Sequence, residues 1–178
     1  MTRNERNIRN SKRGRVKEEN ERSIFYAPFV FILMVLVFTL MNVGVKSTVM
    51  KALSVSPTGT AGRGALMFEE VRNTGAAFGL FNNNPELLIA VSLLALVIIT
   101  ASVLFFSKRM PLSLISPLSL LASGIAMNLF ERISYGYVTD YIKFVSATDF
   151  PAFNCSDIMV VCGAIGLIFE LMKTGKRN

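Results

Sequence analysis

Four apolar stretches, each near the length that crosses a bilayer as a helix, constrain this chain more than any other feature. They cover about residues 24–45, 87–106, 112–130 and 153–172. A helix needs roughly 20 apolar residues to span the hydrocarbon core. Hydrophobic residues make up 52% of the chain and charged residues 17%, with a mean hydropathy of +0.48. That balance fits an integral membrane protein rather than a soluble domain. The first stretch is longer than a signal-peptide core and no clear small-x-small cleavage site follows it, so it reads as a retained transmembrane helix.

Basic residues set the orientation. Eight lie in the first 22 positions, two at Lys108–Arg109 and three after position 172 (Lys173, Lys176 and Arg177), thirteen on one side. The other side carries six: Lys46, Lys51, Arg63, Arg72, Arg132 and Lys143. The positive-inside rule then places both termini in the cytoplasm and turns 46–86 and 131–157 outward. The expected organisation is a basic tail at 1–23, a four-span domain at 24–172 and a short tail at 173–178.

Composition excludes several chemistries. The chain has no histidine, which removes a histidine-based triad or zinc site. Its two cysteines, Cys155 and Cys162, would lie roughly 10 Å apart along one helix, too far to bridge. They read as small packing residues. The net charge of +7 is concentrated in the N-terminal tail, before an apolar segment. Such a tail sets topology and touches anionic lipid; no nucleic-acid partner is expected.

Polar residues within the spans follow helical spacing. Thr39, Asn42 and Lys46 share one face of the first span. Ser116, Ser119, Ser123, Gly124, Asn128 and Glu131 or Arg132 share a face of the third. Such stripes normally face other helices. The serines read as packing contacts, whereas Asn128, Glu131 and Arg132 cluster at the outer end, where function is the stronger reading. In 46–86, Pro57, Gly59, Gly62 and Gly64 mark turns, and 66–81 has room for short strands.

Two carboxylates complete the pattern. Asp157 falls roughly 6 Å inside the fourth span, where the helix dipole also favours an acid. Asp140 lies in 137–145. If that segment is extended, Asp140 shares a face with Val138, Ile142 and Phe144. Asp149 reads as a solvated loop residue. Ionisable groups at membrane depth are costly and usually functional. Two that meet can share a proton, one ionised and one protonated, as aspartic proteases require.

At these residues the chain resembles the lipoprotein signal peptidases (signal peptidase II) of bacteria. The resemblance rests on N-T-G-A-A-F at 73–78, N-L-F-E-R at 128–132, G-Y-V-T-D-Y-I at 136–142 and F-N-C-S-D at 153–157. It implies an all-α membrane protein with four transmembrane helices, a small extracytoplasmic β-sheet and an amphipathic helix along the membrane surface. It further implies an aspartic endopeptidase, needing no cofactor, with Asp140 and Asp157 catalytic. Lys46, Asn73, Asn128, Arg132 and Asn154 would bind substrate or order the pair. Its substrates would be diacylglyceryl-prolipoproteins, cut before the lipidated cysteine by a monomer embedded in membrane lipid. Two positions depart from the family pattern, which has aspartate at both Asn42 and Glu131; with Asn42 neutral, an ion pair between it and Lys46 is lost. A proton-coupled carrier or an inactive lipoprotein-binding scaffold are the alternative readings. A carrier would place its acids near the membrane midplane.

Overall fold

The computed structural model describes residues 3–62, 64–76, 81, 84–108, 110–145 and 150–175. The described residues form four helices and three strands. They are α1 (Arg3–Ser54), β1 (Thr60–Ala61), β2 (Leu66–Asn73), α2 (Pro85–Phe105), α3 (Leu112–Tyr135), β3 (Val138–Phe144) and α4 (Cys155–Gly175). All four helices contain a segment long and apolar enough to cross a membrane, the longest being Phe25–Ser54 in α1. Side chains such as Leu36, Leu94, Ile98, Ile165 and Phe169 are exposed, as expected of a surface facing lipid.

The first helix exceeds the expected span at both ends. The basic tail is helical from Arg3, and nine residues beyond Val45 continue the helix. Pro28 falls inside it. The 30 residues from Phe25 to Ser54 measure about 45 Å at the usual helical rise, more than the hydrocarbon core. A separate amphipathic surface helix is not among the described elements. Asp149, Ala77 and Phe78 lie outside the described residues.

α3 is the hub and packs against α1, α2 and α4. Its closest approach is to α4, through glycine. A Cβ at Gly124 would lie 2.5 Å from the Ser156 carbonyl oxygen, and one at Gly163 would lie 2.8 Å from the Leu121 nitrogen and the Pro117 oxygen. Without the burial of apolar surface from water that drives soluble packing, membrane helices associate through such close backbone contact. At the other end of the bundle, Ala27, Phe31, Ile99, Val103, Ile115, Leu118 and Ala122 form an apolar cluster.

The strands form one antiparallel sheet in the order β1-β2-β3, at the end where α1 finishes and α4 begins. Gly136 ends α3 in the left-handed conformation (φ 79°) and returns its N–H to the Arg132 carbonyl, which turns the chain into β3. β2 and β3 pair Phe68 with Ile142, then Val71 with Asp140 and Asn73 with Val138. Two residues of β2 therefore stand opposite one of β3, a β-bulge. A one-residue shift moves every later side chain to the opposite face. The bulge thus brings Asn73 onto the face that carries Asp140.

Candidate active site

β3 carries Asp140 on the face shared with Val138 and Ile142, as the alternation predicts. The strand is buried on its other face as well, through Thr139 and Tyr141. Asp140 itself is 2% exposed. The segment before α4 locks onto this strand. Phe153 accepts from the N–H groups of Tyr141 and Ile142, and its own N–H donates to the Ile142 carbonyl. The Cys155 N–H donates to the Tyr141 hydroxyl at 3.2 Å. Burial pushes that phenol up to about 12, so it stays neutral. Phe144, Phe150 and Phe153 pack ring against ring over the same junction. These contacts bring the start of α4 beside Asp140.

Asn154 then joins the two acids. Its side-chain Nδ2 donates to Asp140 Oδ1 at 2.8 Å and to Asn128 Oδ1 at 3.2 Å. Its Oδ1 accepts the Asp157 N–H at 3.1 Å, while its backbone N–H donates to Asp157 Oδ2 at 2.9 Å. That reciprocal pair is a capping box built from Asn154-x-x-Asp157. The other Asp157 oxygen, Oδ1, accepts from Asn128 Nδ2 at 2.8 Å. Both aspartates are thus held by one asparagine, and Asp157 both caps a helix and faces the site.

Asp140 Oδ2 accepts from Asn73 Nδ2 at 2.8 Å. The amide of Asn73 is oriented by its Oδ1, which accepts the Gly75 N–H at 2.9 Å. Arg132 Nη2 donates to the Gly75 carbonyl at 3.0 Å and so fixes this turn from α3. Burial pushes the Asp140 carboxyl up to about 6. The Asn73 hydrogen bond opposes that rise, Asp157 adds to it, and Asn154 and Arg132 oppose it. Desolvation dominates because taking a charge out of water costs more than the donors return.

Lys46 stands one step away. Its Nζ lies 2.6 Å from Glu131 Oε1, and Glu131 Oε2 accepts the Thr139 N–H at 2.8 Å. The longer acid at 131 therefore reaches both the end of α1 and the start of β3. Asn42, the other departure from the family pattern, makes no ion pair. It donates to Ser156 Oγ at 2.7 Å.

All seven residues singled out from the sequence fall in this region. Asp140, Asp157, Asn73, Asn128 and Asn154 are joined by direct hydrogen bonds; Arg132 and Lys46 reach the group through Gly75 and Glu131. The sequence reading missed the bulge that aims Asn73, the capping box, and the parts played by Thr139 and Ser156. Only the capping box carried a sequence signal, the Asn-x-x-Asp spacing. The serines of α3 behave as packing contacts: Ser119 donates to the Ile115 carbonyl, and Ser123 pairs with Thr39 at 3.1 Å. The two cysteines are free, as expected.

Comparison with known proteins gives a consistent picture. A family model described as "Signal peptidase (SPase) II" matches residues 21–173. A lipoprotein signal peptidase of Clostridium tetani is 39% identical over 108 residues, 60% of this chain and 69% of that protein. One from Dehalococcoides mccartyi is 38% identical over 109 residues, 59% of this chain and 66% of that protein. The aligned part thus spans about two thirds of these relatives' length. The fold is similar to two solved structures described as bacterial membrane enzymes. Their TM-scores are 0.69 and 0.65 at 22% and 23% identity, covering 84% and 81% of this chain and 91% and 93% of theirs.

Proposed function

The chain belongs to the signal peptidase II family, a family of peptidases, and from that premise we propose that it is an aspartic endopeptidase that removes signal peptides from diacylglyceryl-modified prolipoproteins. The observation that carries this reading is the side chain of Asn154, which engages Asp140 and Asp157 at once. Neither acid stands near a metal-binding cluster among the described residues.

Asp140, whose carboxyl burial raises, holds the shared proton. Asp157 takes a proton from the attacking water as its oxygen bonds to the scissile carbonyl carbon. Asp140 gives its proton to the carbonyl oxygen, and a tetrahedral gem-diol forms. Asp157 then protonates the leaving nitrogen, the C–N bond breaks, and Asp140 recovers a proton from the collapsing diol. General acid and base groups act at hydrogen-bonding distance, and burial brings the acid's pKa nearer the working pH. Asn73, Asn128 and Asn154 hold the carboxylates during these transfers. The half-buried guanidinium of Arg132 and the Asn73–Gly75 turn border the space the substrate backbone enters.

The site lies at the sheet end of the bundle. The excess of basic residues on the terminal side supports a sheet end that faces outward, with both termini in the cytoplasm. A diacylglyceryl cysteine sits at the same level. Acyl-chain burial, at about 0.8 kcal/mol per CH₂, delivers the bond before that cysteine to the site by lateral diffusion. The chain works as a monomer.

The test is cleavage of a lipidated prolipoprotein by the full chain in detergent or liposomes. Asp140→Asn and Asp157→Asn each abolish cleavage while the protein stays folded. Normal turnover in either variant refutes the pair. Equal cleavage of unlipidated precursor refutes the anchoring argument.

A further inference from the structure

α1 supplies neither carboxylate, yet two of its side chains one turn apart hold the residues that precede them. Ser156 comes immediately before Asp157, and Thr139 immediately before Asp140. Asn42 Nδ2 donates to Ser156 Oγ at 2.7 Å, and the two residues are 3% and 4% exposed. Lys46 reaches Thr139 through Glu131.

The surroundings of Asn42 give this bond direction. Its amide also approaches Met159 Sδ at 3.7 Å, one turn further along α4. Ser123 of α3 approaches the same sulfur at 3.9 Å and pairs with Thr39 of α1. One asparagine thus engages two successive turns of α4 in the dry interior. A buried hydrogen bond fixes register because its loss leaves polar groups unmet. α4 has little freedom on its other side, where Gly124 meets the Ser156 carbonyl.

We propose that Asn42 is a positioning residue that sets Asp157 through Ser156, which makes α1 the brace of both carboxylates. This rests on the peptidase reading above. The bond fixes the first turn of α4 against α1, while the Lys46–Glu131 pair fixes the start of β3 against the same helix. The separation of the two acids then follows from the spacing of Asn42 and Lys46.

The experiment is a double-mutant cycle on the full chain in detergent, with lipidated prolipoprotein as substrate and thermal unfolding measured alongside. Asn42→Leu and Ser156→Ala each lower kcat about tenfold, the scale of one buried hydrogen bond, with KM unchanged. The double variant is no slower than either single one, because both remove the same link. Asn42→Asp, whose carboxylate accepts the Ser156 hydroxyl, restores kcat to within about threefold of the parent. Independent, multiplying losses overturn the proposal. So does a loss confined to KM, or a lowered melting temperature with kcat of the folded protein unchanged. A parent chain that cleaves no lipidated precursor overturns the peptidase reading instead; the proposal then falls with it even if the pair shows coupling in thermal unfolding.

Discussion

Replacing Asn154 by serine separates the two jobs this residue performs. Serine is a good N-cap, so α4 keeps its first-turn acceptor. What disappears is the Nδ2 group, with its bonds to Asp140 at 2.8 Å and Asn128 at 3.2 Å. With Asp140 protonated, both bonds join neutral groups, and each contributes about 0.5–1.5 kcal/mol. Because Asn154 is 3% exposed, water does not readily replace the lost donor. The combined loss is about 2 kcal/mol, on the order of a 30-fold fall in kcat. KM for lipidated precursor stays near the parent value, since no substrate contact is removed. The melting temperature falls by about 4–8 °C, since the same bonds stabilise the folded chain while the cap persists. The assay is turnover at saturating precursor with thermal unfolding on the same preparation. A variant that keeps kcat within about threefold while unfolding like the parent refutes the claim that Asn154 couples the acids.

The remaining predictions concern charge. Asn73→Ala removes a donor that lowers the Asp140 pKa, so the carboxyl rises above about 6 and keeps its proton to higher pH. The basic limb of the kcat/KM profile therefore moves to higher pH, and an unmoved limb contradicts Asp140 as proton carrier. Glu131→Gln leaves the Lys46 ammonium without its 2.6 Å partner beside a buried residue. Breaking such a pair costs about 3 kcal/mol, which lowers the melting temperature by about 6–12 °C for a chain of this size. An unchanged melting temperature shows that the pair is not a strut.

The four spans were legible because length and apolarity alone specify a transmembrane helix. The strand at Asp140 was legible from alternation, and Leu66–Asn73 from its place within the outward segment. The ends of α1 were not, because a helix already nucleated in the membrane extends through polar sequence such as Lys46–Ser54 at little cost. The bulge between Phe68 and Val71 has no marker in Glu69–Glu70; register emerges only when β2 meets β3. Asn42 looked like a lost ion pair because Lys46 is its neighbour in sequence. In space the lysine turns to Glu131, some 85 positions away, and the asparagine turns to α4. Polar pairing across helices depends on rotation and depth, which no single segment records.

The glycine seam between α3 and α4 has an electrical consequence. Carboxylates that exchange protons inside a membrane endanger the gradient that membrane maintains. At Gly124 and Gly163 the two backbones leave no room for even a methyl group, let alone a file of water. Beyond them, Ala27, Phe31, Val103 and Ile115 form an apolar cluster whose side chains carry no group to relay a charge. On the proposed reading, protons handled by Asp140 and Asp157 would return to the side from which they came, and the bundle would cut its substrate without becoming a leak.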